Sequence, residues 1–103
     1  MEVYEIINEE WEEHIVYYYS RKMVIKKFDF LEIVAEKEKF STNIFDVDCQ
    51  LTIELDDFQK FTNERIGNDK VESSFVIESE WNSEITFIET ENFYIIRIWT
   101  TSA

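Results

Sequence analysis

An α+β fold, mainly antiparallel sheet in meander order with one or two short helices packed on one face, is predicted by three features of the 103-residue sequence. Ile and Val number 21 against five for Leu and Ala together, and β-branched side chains lose rotamer freedom in helices while packing well on pleated sheet. Several segments alternate apolar and polar residues with period two, the spacing of a strand with one covered face. Short Asn-, Asp- and Ser-containing breaks separate these segments, as hairpin connections require.

The clearest alternation runs from Ile44 to Leu55, with Phe45, Val47, Cys49, Leu51, Ile53 and Leu55 on one parity and an acidic, polar set on the other. It predicts a strand. The period then changes: Asp56 or Asp57 can cap, Phe58 and Phe61 lie three apart, Lys60 and Glu64 four apart, and Gly67 supplies a stop, which predicts a helix over 57–66. Val71 to Trp81 alternates again, with Glu72, Glu78 and Glu80 on the wet parity. Asn82-Ser83 and Glu91-Asn92 then delimit two further strands, Glu84 to Thr90 and Phe93 to Thr100.

Residues 1–40 carry competing signals. Ile7, Trp11, Ile15 and Tyr18 fall at helical spacing, with Asn8 as a cap and Arg21-Lys22 complementing a helix C-terminus. Against this, Ile15 to Tyr19 is a dense β-forming run that Ser20-Arg21-Lys22 would turn into Met23 to Phe28. We adopt that hairpin. Asp29 followed by Glu32 has the pattern of a capping pair for a helix over 30–39.

Length and apolar content support one domain over 1–103, with no Pro and a single Gly to form a linker. The first residues lack the basic region of a secretory leader, and no apolar run approaches the ~18 residues of a membrane helix. A cytoplasmic location is the expectation.

Charge is the strongest signal. Twenty-three acidic side chains face 10 basic ones, for a net charge of −13. Residues 1–20 hold six Glu and no Lys or Arg, while the basic residues gather within 21–40. This exceeds the magnitude of about 2 to 8 that keeps a small domain soluble. The excess disfavours direct nucleic-acid binding, which needs clustered Lys and Arg, and an anionic membrane surface.

Little in the chain specifies a reaction. His14 is the sole histidine and Cys49 the sole cysteine. Cys49 lies on the apolar parity of its strand, as a small buried hydrophobe would, and His14 lies among Glu12 and Glu13. Two such ligands fall short of a zinc site. Asp46-Val47-Asp48 begins like a calcium loop, but Leu51 stands where the turn glycine belongs. The expectation is no catalytic residue, cofactor or metal.

Trp11, set between Glu9-Glu10 and Glu12-Glu13, has the composition of an interface anchor with an acidic rim, and Trp81 invites the same question. Carboxylates on the wet parity of the strands, including Asp46, Asp48, Glu54, Glu72, Glu78, Glu80 and Glu84, with Glu89 and Glu91 beyond, predict an acidic sheet face that approximates a phosphate array. Like charges opposed across strands cost several tenths of a kcal/mol per pair, a cost that a basic partner would offset. The function expected is inhibition by binding: a small acidic protein that blocks a basic, nucleic-acid-handling partner, of the toxin-immunity or phage anti-defence (anti-CRISPR) kind, including nucleic-acid mimics. Glu9, Glu10, Trp11, Glu12, Glu13, Asp46, Asp48, Glu54, Glu72, Glu78, Glu80 and Glu84 are the expected contact residues. Two alternatives are an interaction subunit that oligomerises through a sheet edge such as Phe93 to Thr100, and a carboxylate-based metal-dependent hydrolase.

Overall fold

A computed structural model describes residues 1–42 and 54–102. Among these residues the strands β1 (Glu2–Asn8), β2 (Glu13–Arg21), β3 (Val71–Glu80), β4 (Ser83–Thr90) and β5 (Phe93–Thr101) form one sheet, with every pairing antiparallel. Helix α1 (Lys27–Glu38) follows β2. Helix α2 (Asp56–Phe61) precedes β3 and continues as a π-helical turn over Thr62–Ile66. The α+β class and the antiparallel sheet agree with expectation.

The sheet order is β1-β2-β5-β4-β3, so the sheet as a whole is not a meander. The last three strands do pair consecutively, but β5 inserts between β4 and β2. Phe93 to Thr100 is therefore the central strand rather than an edge, which removes it as a site of edge pairing. Its sequence suits that place: Phe93, Ile95, Ile96 and Ile98 are all buried, as a strand covered on both faces demands.

The helices sit on opposite faces of the sheet, not on one. Tyr4, Tyr17, Tyr19 and Ile95 pack against Phe58 and Phe61 of α2, while Tyr18, Phe87, Ile96 and Ile98 pack against Phe30, Leu31 and Val34 of α1. Both faces are thus covered, and the exposed acidic face expected of the strands does not form among the described residues.

The three consecutive tyrosines show how period two serves both layers. Tyr17 stacks on Phe61 with ring centroids 4.3 Å apart and donates its hydroxyl to Asp57. Tyr18 faces the other way and donates to Glu38 of α1. Tyr19 again faces α2, and its hydroxyl accepts from Arg65 at 3.4 Å.

Residues 15–19 are strand as expected, but their hairpin partner lies upstream, with Ile6 paired to Ile15 and Val3 to Tyr18, rather than over 23–28. The chain after Arg21 turns and enters α1 at Lys27. The expected caps also differ. Lys26 and Leu55 occupy the N-cap positions of α1 and α2 without side-chain caps, and Asp57 turns inward instead. Helix α1 ends with Lys39 at φ 60°, its N–H and that of Phe40 both reaching the Ala35 carbonyl, while Phe40 packs back on the core. Gly67, at φ 71°, closes the π turn by donating to the Thr62 carbonyl at 2.6 Å. Most of the strand expected over 44–55, with Asp46, Asp48 and Cys49, lies outside the described residues. Glu54 and Leu55 form the turn into α2.

Candidate functional site

Antiparallel pairing brings distant glutamates to one end of the sheet. Glu13 pairs with Thr101, Ser83 with Thr100 and Glu80 with Ser83, so the β1–β2 turn, the β3–β4 turn and the end of β5 lie together. That end carries Glu9, Glu10, Glu12 and Glu13 from the first turn, and Glu78, Glu80 and Glu84 around the second. Trp11 is 64% exposed and Trp81 79% exposed, each at the tip of its turn. With neighbouring strands about 4.8 Å apart, the two turns are separated by three strand spacings, or ~14 Å.

The first turn is a built feature. Glu12 donates its N–H to the Glu9 carbonyl at 3.3 Å and sits at φ 52°, a left-handed conformation that costs a non-glycine residue of order 1 kcal/mol. The end of the chain straps it: Ser102 donates from its N–H to the Glu12 carbonyl at 3.2 Å and from its hydroxyl to the Glu12 carboxylate at 3.4 Å. Trp99 donates its indole N–H to Glu13 at 2.7 Å. A tryptophan on such a tip is held out in water by the backbone beneath it.

None of Glu9, Glu10, Glu12, Glu13, Glu78 and Glu80 is ion-paired to a lysine or arginine among the described residues. Glu84 differs. It is half-buried, accepts from Thr86 at 3.1 Å and lies 3.7 Å from the Arg97 guanidinium. Arg97 is 4% exposed and grips Asp57 with two nitrogens, at 2.8 and 3.2 Å. Burial works against its charge, but the Asp57 contacts outweigh that and raise its pKa. Burial, reinforced by the same carboxylate, drives the Tyr17 hydroxyl far above the ordinary tyrosine range.

A cleft of about 440 Å³ opens between the β1–β2 hairpin and α2, with Trp11, Ile6 and Ile15 as apolar walls and Glu13, Asp56, Asp57 and Lys60 as polar ones. Asp57 is committed to Arg97 and Tyr17, and Glu13 to Trp99. No serine, threonine or cysteine is among the described residues that line the cleft. No group of three or more His, Cys, Asp or Glu side chains among the described residues is placed to hold a metal ion, and no helix among them is long and apolar enough to cross a membrane. His14 is exposed and lies 3.0 Å from Glu5.

The expected contact residues are thus sorted by the fold. Glu9, Glu10, Trp11, Glu12, Glu13, Glu78 and Glu80 share one end, with Glu84 beside them but turned toward Arg97. Glu72 stands at the opposite end, 3.0 Å from Lys22. Glu54 precedes α2, and Asp46 and Asp48 lie outside the described residues. Sequence reasoning did not place Asp56 and Lys60 beside Trp11, because nothing local reveals that α2 docks under the first hairpin. Comparison of the chain with family models, with curated proteins and with solved structures returned no match.

Proposed function

We propose that the chain is a small binding antagonist whose acidic, two-tryptophan end docks on a basic, nucleic-acid-handling protein and occupies the surface that protein uses for its substrate. One observation carries this reading: two exposed indoles on turns at one end of the sheet, ringed by glutamates without lysine or arginine ion-pair partners among the described residues. Tryptophan is among the residues enriched at interface hot spots, and unpaired carboxylates around it steer a cationic surface into register. The uncompensated charge is unfavourable to the isolated fold, so a positive partner explains what folding does not. A toxin-immunity or anti-defence role follows from the same chemistry. A literal phosphate array does not, because the described carboxylates at this end ring a tip instead of lining a face.

The test is capture of a partner from the native host, followed by reconstitution with the purified partner and its nucleic acid. The chain and the nucleic acid are expected to compete, with affinity falling steeply as salt rises, mainly through the on-rate. Replacing both Trp11 and Trp81 by Ala is expected to weaken binding about 100-fold or more. Simultaneous binding of chain and nucleic acid, or affinity indifferent to ionic strength, would overturn the proposal.

A further inference from the structure

Opposite the acidic end, the connection from β2 to α1 has the converse character. Residues 21–28 contain Arg21, Lys22, Lys26 and Lys27 and no acid. Within the same span Met23 is 85% exposed, Val24 70% and Phe28 72%. The loop is held in shape: Val24 donates to the Arg21 carbonyl at 3.2 Å, and Lys22 donates from its N–H to the Asn92 carbonyl at 2.8 Å. Lys22 and Lys27 are drawn back to Glu72 and Glu89, Arg21 is exposed but lies with its guanidinium 5.2 Å over the Phe93 ring in a cleft that Glu2, Val24 and Glu64 also line, and Lys26 is exposed beside the apolar tip.

Along β2 the eight-residue step from Glu13 to Arg21 spans ~27 Å, about three Debye lengths at physiological salt. At contact range the loop and the acidic tip therefore present opposite local signs, although Glu72, Glu89 and Glu91 share the loop's end. One end offers indoles ringed by carboxylates, the other a methionine, a valine and a phenylalanine flanked by an arginine and a lysine. The two surfaces complement each other in charge and in apolar content.

We infer that the chain associates head to tail with a second copy of itself, the acidic tip of one molecule receiving the 21–28 loop of the next. Trp11 and Trp81 then bury Met23, Val24 and Phe28, while Arg21 and Lys26 meet the unpaired glutamates and the indole faces. The contact is heterologous, so it propagates into open chains instead of closing a dimer. A flat anionic membrane fits the loop less well, because the exposed Glu91 and the half-exposed Glu72 lie on the same end and would face the membrane too, whereas a protruding tip touches the loop alone. The inference does not rest on the antagonist reading, since it needs no foreign partner.

Sedimentation of the purified chain tests it, with two variants: a tip variant, Trp11→Ala with Trp81→Ala, and a loop variant, Met23→Ser with Val24→Ser and Lys26→Ser. All substituted residues are exposed, and circular dichroism checks the folds. The parent chain is expected to gain mass with concentration at about 0.05 M salt, with contact affinity at least about tenfold weaker at about 0.5 M. Each variant alone is expected to stay monomeric, while an equimolar mixture of the two forms a dimer that grows no further, because one supplies the intact loop and the other the intact tip. A monomeric parent at every concentration, self-association of either variant, or a mixture that stays monomeric while the parent associates would overturn the inference. So would loop-dependent binding to phosphatidylserine-containing vesicles by a chain that never self-associates.

Discussion

The two ends of the sheet use glutamate in opposite ways. Where β2 runs into α1, carboxylates are paired: Lys22 lies 3.0 Å from Glu72 and 3.4 Å from Glu89, Lys27 lies 2.5 Å from Glu89, and Asn92 donates twice to Asp69, at 2.8 and 2.6 Å. Where β1 turns into β2 and β3 into β4, Glu9, Glu10, Glu12, Glu13, Glu78 and Glu80 lie about exposed tryptophans and meet no lysine or arginine among the described residues. The charge excess is not confined to one end, since Glu91 beside the paired cluster and Glu32 and Glu36 on α1 also have no ion-pair partner among the described residues; what sets the acidic end apart is its two exposed tryptophans. The paired end belongs to the stability of the fold, and the unpaired end is a surface the fold maintains against its own repulsion.

Between the ends lies a third arrangement, the buried Arg97 with Asp57, Glu84 and the Tyr17 hydroxyl. It yields the largest effect by which the contrast can be sharpened. Arg97→Met is expected to cost about 3–5 kcal/mol, because it strands half-buried carboxylates without their counter-charge. Urea unfolding of this variant and of Arg97→Met with Asp57→Asn checks the cause, since the second substitution should recover part of the loss. At the paired end, Lys22→Met with Lys27→Met is expected to lower stability by about 1–3 kcal/mol, as Glu89 is left with little water and no cation. The mirror experiment at the unpaired end, Glu9→Gln with Glu10→Gln, should raise the melting temperature at low salt and have no effect at high salt. If both double variants changed stability in the same direction, the contrast between the ends would be wrong.

Titration separates the regions further. Burial, together with hydrogen-bonded Glu64 and Glu38 respectively, pushes the hydroxyls of Tyr4 and Tyr18 up to about 12 from an ordinary 10.0. A raised pKa means that the folded chain holds the proton more tightly. The stability these groups supply is thus complete below pH 10 and disappears as pH climbs through about 12. Urea midpoints measured from pH 8 upward should fall across that window, and Tyr18→Phe should flatten the fall.

Asp69 gives the opposite sign. Burial raises its pKa, but hydrogen bonds from Thr90 and Asn92 and the charge of Lys22 overcome this and hold it below the usual carboxylate range. Its contribution is present above the unfolded-state pKa and lost as pH falls through the lower folded value, and Asp69→Asn should remove that acid limb. The smallest expected effect is at the acidic turn. Glu12→Gly relieves a left-handed backbone and should stabilise the fold by about 0.5–1 kcal/mol, measured by thermal unfolding.

How far the molecule was legible from its letters depends on the region. Val71 to Trp81 stood out by its period of two, and the strands expected over 84–90 and 93–100 by the short polar breaks at Asn82-Ser83 and Glu91-Asn92 that delimit them. The helix from Asp56 stood out by its change of period, and Trp11 by its glutamate neighbours. The first strand was obscured because Ile7, Trp11 and Ile15 also satisfy a helical repeat, which hid the partner of residues 15–19. Arg97 gave no signal at all: a lone arginine in an isoleucine-rich strand finds its carboxylate 40 residues away in sequence.

Composition and alternation determined that this chain is sheet-dominated with excess negative charge, because side-chain branching and burial parity act within a few residues of one another. Strand order, the placing of one helix on each face and the gathering of two tryptophans and their glutamates at one end were decided only in the tertiary structure. Those outcomes depend on which strands exchange hydrogen bonds across long loops. Alternation marks a strand's inward side without naming its neighbour, and strand order decides which turns share an end.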